Sequence, residues 1–259
     1  DNLVASFEGL ASNSPFLAQM RSLLRVLREK IGGPVDLEFA HDGTDLYLLQ
    51  CRPQSAQDEA SPVPIPADVP NDRVVFAARR FVSNGRVPDL THIVFVDPDA
   101  YATLGDAEAL RDVGRAVGRL NKVLPKRRFV LMGPGRWGSR GDIKLGVPVT
   151  YSDISNTSLL IEIASRREGS VPELSFGTHF FQDLVESSIR YLPLYPGEEG
   201  GVLNREFLTG AANQLETLVP EYAHLARAIR VIDVAAAAGG QLLKVAMNAE
   251  DNEALGYLG

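Results

Sequence analysis

Apolar residues recur at spacings of three and four through Phe16, Leu17, Met20, Leu23, Leu24, Leu27 and Ile31, the period of an amphipathic helix. Ser14-Pro15 suits its start, a capping side chain followed by a residue with preset φ. Gly32-Gly33 suits its end. Arg21, Arg25 and Arg28 share the opposite face, which reads as a solvated face, with a phosphate-facing stripe as the alternative. The pattern then changes. Two apolar runs, residues 35–40 and 46–53, flank His41-Asp42-Gly43-Thr44. Asp-Gly between apolar runs predicts a β-hairpin.

Beyond the hairpin the sequence turns to Pro53, Pro62, Pro64, Pro66 and Pro70 among small and acidic residues. Alternating prolines favour extended geometry, so residues 56–72 read as a semi-rigid linker. It separates a segment 1–55 from a domain 73–259. In that domain the pattern predicts strands at 73–82, 92–96 and 128–132, with a helix from the cap Asp106 to about Leu124 between the last two. Strand, helix, strand favours a parallel pair. Further strands are expected at 147–151, 158–164, 189–194, 229–234 and 242–247, with helices at 178–188 and 203–227. The fold class is α/β, with α+β open, built as a mixed sheet with flanking helices.

Composition adds limits. The chain has 259 residues, 45% hydrophobic and 23% charged, ordinary for a globular protein. A net charge of −7 argues against a general nucleic-acid surface. One cysteine, Cys51, permits no internal disulfide, which fits a cytoplasmic location. No apolar run reaches the length of a membrane span.

The chemistry-bearing stretch of the domain is Met132-Gly133-Pro134-Gly135-Arg136-Trp137-Gly138-Ser139-Arg140-Gly141, directly after a buried strand. The carboxyl end of a strand in an α/β sheet is where ligands bind. Glycines let backbone N–H groups converge on an anion, and Arg136 and Arg140 add fork-shaped donors. Gly133, Gly135, Arg136, Gly138, Ser139 and Arg140 therefore form a candidate binding set for a phosphorylated or carboxylate ligand. The spacing is neither the Walker loop nor the dinucleotide fingerprint. His179, in Phe176-Gly177-Thr178-His179-Phe180-Phe181-Gln182-Asp183, stands at the start of a predicted helix. A neutral histidine there suits a base or a phosphoryl acceptor, with Asp183 one turn on. His41, His92 and His224 read as structural, and Asp142 and Asp153 as solvated.

In the hairpin, Glu38 and Gln50 stand one on each strand, with Arg52 nearby. A carboxylate, an amide and a guanidinium together suit a divalent cation and a polyphosphate. The runs Val35-Asp36-Leu37-Glu38-Phe39 and Leu46-Tyr47-Leu48-Leu49-Gln50-Cys51-Arg52-Pro53 resemble the end of the ATP-grasp domain of the phosphoenolpyruvate synthase and pyruvate phosphate dikinase family. The resemblance covers about residues 10 to 55. It implies Glu38 as a metal-binding carboxylate, Gln50 near the terminal phosphates and Arg52 on phosphate, with Mg2+ and ATP as cofactors. It also makes residues 1–55 a helix–hairpin remnant of that domain and the chain a C-terminal fragment, whose partner is the N-terminal remainder of the same protein. The paired motifs Gly133–Ser139 and Ser175–Leu184 are similar to the tail of bacterial proteins that carry a dikinase-type ATP-grasp domain without its usual partner domains. No reaction transfers from that second likeness.

Together these expectations describe part of an ATP-dependent phosphotransferase, inactive alone, with His179, Gln50 and Arg52 as catalytic candidates. The rival class is a ligand-sensing or protein-interaction module. A hydrolase using His179 and Asp183 is a weaker third. Exposed strand edges would allow a homodimer.

Overall fold

The computed structural model describes residues 15–32, 35–53, 61–139, 143–164, 174–175 and 178–259. Ser14, Gly33, Arg140, Gly141, Asp142, Phe176 and Gly177 lie outside the described residues. The chain divides into two units, residues 1–58 and residues 59–259.

In the first unit, α1 (Phe16–Ile31) ends at Gly32, whose φ of 85° lets its amide donate to the Arg28 carbonyl at 2.9 Å. Phe16 anchors the helix, its ring 5.4 Å from Phe39 and 5.8 Å from His41. Strands β1 (Val35–His41) and β2 (Leu46–Pro53) pair antiparallel, as the Asp-Gly turn predicts. Asp42 makes the turn. Its Oδ1 accepts from the amides of Thr44 at 2.9 Å and Asp45 at 2.8 Å, and its Oδ2 from the Tyr47 hydroxyl at 2.9 Å. These donors, the Asp45 amide first, hold the carboxyl down to about 2. His41 is structural, its Nδ1 accepting from the Gly43 amide.

The second unit has strands in two sheets and a helical layer. Along the chain come β3 (Val74–Ala78), β4 (Gly85–Arg86), β5 (His92–Val96), α2 (Pro98–Ala102), α3 (Ala107–Val123), β6 (Phe129–Pro134), β7 (Leu159–Ile163), α4 (His179–Glu186) and β8 (Arg190–Leu194). Then follow β9 (Val202–Leu203), α5 (Arg205–Gly210), α6 (Leu215–Leu218), β10 (Ile229–Asp233), α7 (Val234–Ala237), β11 (Leu243–Asn248) and β12 (Glu253–Leu258). The first sheet has the order β10-β5-β6-β7-β8, with β5 to β8 parallel and β10 antiparallel at one edge. The second, antiparallel throughout, has the order β4-β11-β12-β3-β9. The expected mixed α/β architecture is present, with its strands shared between two sheets.

The parallel strands are buried on both faces, and alternate side chains feed two cores. Val94, Val96, Leu131 and Leu160 pack with Leu110, Val113, Val117 and Leu120 of α3. Ile93, Phe95, Val130, Met132 and Ile161 face the second sheet through Phe76, Leu243 and Met247. Asp106 caps α3 as expected, accepting from the Ala109 amide at 2.7 Å. No helix among the described residues is long and apolar enough to cross a membrane.

Three expectations differ from the structure. The stretch 203–227 is not one helix: it holds β9's end, α5, α6 and a 3-10 turn at Pro220–Leu225. Ala211 takes extended geometry, and Asn213 bonds to the chain around it in place of a helical ladder. The predicted strand at 147–151 is an irregular segment leading to a 3-10 turn at Tyr151–Asp153, closed by a reciprocal Thr150–Asp153 capping box. The predicted strand 73–82 stops at Ala78, and Phe81 beyond it has φ of 54°, incompatible with continued extension.

Candidate functional site

The hairpin's register puts Glu38 directly opposite Gln50 and position 36 opposite position 52, with a bulge between Glu38 and Phe39. Glu38 and Gln50 thus share one face, the juxtaposition their spacing implied.

In the second unit the parallel strands end at one edge of the first sheet. Asp97, next after β5, is a buried cap there: its Oδ1 accepts from the amides of Asp99 and Ala100, and its Oδ2 meets Arg205 at 2.9 Å. Next to it, β6 runs into the glycine-rich loop. Gly135 has φ of 59°, and a Cβ there would sit 1.7 Å from the Leu145 carbonyl oxygen. Gly138 has φ of 72° and lies against the Phe180 ring, where a Cβ would come within 2.5 Å. Trp137 folds back so that its ring covers Gly133 and is almost wholly buried.

Among the described residues of the loop, the amides of residues 135–138 are engaged within the protein. The amide of Gly135 donates to the Ile163 carbonyl at 3.0 Å, that of Arg136 to Leu145 at 2.9 Å, and that of Gly138 to Val147 at 3.1 Å. The amide of Trp137 donates to a carboxylate of the protein itself, Glu162 Oε1, at 2.8 Å. Glycine serves here for close packing and left-handed backbone. Arg136 and Ser139 are half-buried on this loop.

Glu162 is the residue sequence reasoning missed. It sits fully buried in β7, in the run Leu-Leu-Ile-Glu-Ile. Its Oε1 meets the Trp137 amide and the Ser175 hydroxyl at 2.5 Å. Its Oε2 accepts from the Ser175 amide at 2.6 Å and the Tyr191 hydroxyl at 2.7 Å. Burial pushes its carboxyl up to about 7 against the pull of these donors. The signal was present: a lone carboxylate inside an apolar strand is unusual unless it is paired or protonated.

Ser175 carries the connection onward. Its hydroxyl also reaches the Trp137 carbonyl at 2.8 Å, and its own carbonyl accepts from the Thr178 hydroxyl at 2.6 Å. Thr178 in turn caps α4, accepting from the Phe181 amide. The structure therefore brings the glycine-rich motif and the histidine motif together, through Trp137, Ser175, Gly138 and Phe180. His179 is exposed as the first residue of α4, and Asp183 is half-buried one turn later. His92 is structural, its Nδ1 lying 2.8 Å from the Thr91 hydroxyl, and burial lowers its pKa. Among the described residues no three His, Cys, Asp or Glu side chains gather as a metal site.

No curated protein and no solved structure matches the chain. Residues 12–73, about a quarter of its length and including the whole hairpin, match the family model for the AMP/ATP-binding domain of pyruvate phosphate dikinase, so this stretch is related to a dikinase-type nucleotide-binding domain.

Proposed function

We propose that the protein takes part in ATP-dependent phosphoryl transfer of the phosphoenolpyruvate synthase and pyruvate phosphate dikinase type. The observation that carries this reading is the opposition of Glu38 and Gln50 within the stretch related to the AMP/ATP-binding domain. Carboxylate and amide oxygens are hard donors, and Mg2+ is commonly held by one or two carboxylates together with phosphate oxygens. The donor set fits that ion. Glu38 would hold it, with Gln50 and Arg52 on the β- and γ-phosphates. When bound, Mg2+ neutralises charge on the transferring phosphate. The residues contribute by positioning and by fixed charge, which phosphoryl transfer chiefly requires.

In the second unit the same reading gives the loop after β6 an anionic substrate, phosphorylated or carboxylate. Arg136, Ser139 and Arg140 supply side-chain donors on a backbone shaped by Gly133, Gly135 and Gly138. His179, on the helix packed against Gly138, serves as base or transient phosphoryl carrier. The N-terminal remainder of an ATP-grasp domain would complete the adenine pocket, and the setting is cytoplasmic.

A second reading is favoured by one observation: the amides of residues 135–138 are all engaged within the protein. On that reading the second unit is a ligand-sensing or interaction module appended to a nucleotide-binding domain. Calorimetric titration with Mg-ATP, with and without Mg2+, separates the two for the hairpin. Phosphotransfer predicts Mg2+-dependent binding that Glu38→Gln weakens by roughly tenfold or more. Mg2+-independent binding, or none, would remove the proposed role of Glu38.

A further inference from the structure

Glu162, Ser175 and Trp137 pose a proton-counting problem. The Ser175 hydroxyl lies 2.8 Å from the Trp137 carbonyl oxygen and 2.5 Å from Glu162 Oε1. It has one proton. With an ionised Glu162, one of these two short oxygen–oxygen contacts has no hydrogen. With a proton on Oε1 the chain is complete: Glu162 donates to Ser175, and Ser175 donates to the Trp137 carbonyl. Oε1 keeps a lone pair for the Trp137 amide, and Oε2 accepts from the Ser175 amide and Tyr191. We propose that Glu162 is a positioning residue that holds a proton, and that this proton clasps the glycine-rich loop to Ser175 and so to the start of α4.

The titratable groups facing Glu162 are Tyr191 in β8 and Tyr195 just beyond it. Burial raises the pKa of the Tyr195 phenol. Arg80 stacks over the Tyr195 ring at 4.7 Å and is paired with Glu198 at 2.8 Å. The strand positions paired with Glu162, Gly133 and Pro193, carry no charge. Among the described residues, the groups that bond Glu162 are the Trp137 amide, Ser175 and Tyr191, and none is a cation that would stabilise the ionised form. Burial agrees, holding the carboxyl near 7. Losing the proton to solvent leaves a buried anion and breaks the relay, which loosens Trp137 from Ser175. The consequence for ligand binding rests on the anion-site reading above; the clasp does not.

Trp137 is the chain's single tryptophan, so its fluorescence reports on the clasp without any ligand. A titration between about pH 5 and 9 on the wild type, Glu162→Gln, Tyr191→Phe and His179→Gln tests it. The expected result is a transition near pH 7 in the wild type, retained in His179→Gln and absent in Glu162→Gln. Tyr191→Phe, which removes a donor to the carboxylate, moves it to higher pH. A flat wild-type profile, a transition that persists in Glu162→Gln, or one lost in His179→Gln overturns the proposal. Should Glu162→Gln fail to fold, Tyr191→Phe decides: an upward move supports the clasp and an unchanged midpoint overturns it. Pyrophosphate titration of the wild type at about pH 6 and about pH 8, on either side of the Glu162 transition, reads the anion site separately. Absence of binding at both refutes that site and leaves the fluorescence result standing by its own outcome.

Discussion

The Trp137 amide donates to Glu162 Oε1 across 2.8 Å, joining the glycine-rich loop after β6 to the neighbouring strand β7, one residue before its end. The bond puts a carboxyl group under the loop, where a loop built only to cradle an outside anion would keep its amides open. A buried acid that accepts from three donors and gives its own proton to a fourth partner is held in place when protonated and costly when ionised.

That cost makes stability depend on pH. Glu162 has its pKa raised in the folded state, from an ordinary 4.5 to about 7. Below 4.5 both folded and unfolded chains carry the proton. Between 4.5 and 7 only the folded chain keeps it, so stability falls as pH rises through this window and is level above it. The loss amounts to on the order of 3 kcal/mol. Denaturant unfolding at several pH values should show this decline in the wild type and a flatter profile in Glu162→Gln. Parallel profiles would contradict it.

Gly135 and Gly138, the two positive-φ glycines described in the loop after β6, should respond differently to a methyl group. At Gly135 the new Cβ meets backbone, the Leu145 carbonyl, which cannot step aside. Gly135→Ala should cost about 3 kcal/mol or more by strain and overlap. At Gly138 it meets the Phe180 ring, which can rotate at the expense of packing at the start of α4. Gly138→Ala should unfold at higher denaturant than Gly135→Ala. Equal losses would contradict the backbone-versus-ring distinction.

Asn213 holds the irregular stretch between α5 and β10. Its amide donates to the carbonyls of Ala226 and Ile229, and its oxygen accepts from the amides of Leu215 and Val231. Asn213→Ala removes all four and leaves backbone groups unpaired, a loss of about 2–3 kcal/mol. Thermal unfolding checks it; a change within about 0.5 kcal/mol, the usual range for a surface site, would show that water replaces these bonds.

Much of this was legible in the chain. The Asp-Gly turn fixed the hairpin, and its register followed closely enough to oppose Glu38 and Gln50. The β5–α3–β6 unit was readable from two apolar runs and the cap Asp106. Strand β12 was not, because Gly256 at its centre speaks against a strand. The Phe76 ring occupies the space of its missing side chain, a reason visible only after folding. The same holds for 203–227, whose helical composition yields to Asn213 and Pro220. At the site, the loop announced itself by its place after a buried strand. Glu162 did not, since its donors come from Ser175, Trp137 and Tyr191, 13, 25 and 29 positions away.

The most direct test of the proposed substrate site is calorimetric titration of the chain with phosphate, pyrophosphate, Mg-ATP and phosphoenolpyruvate, comparing the wild type with Arg136→Ala. The account predicts that at least one phosphorylated ligand binds the wild type and that the variant loses about tenfold or more in affinity, the order of a lost charged hydrogen bond. Binding that is unchanged in Arg136→Ala, or absent for every ligand, would contradict a substrate site on the loop after β6.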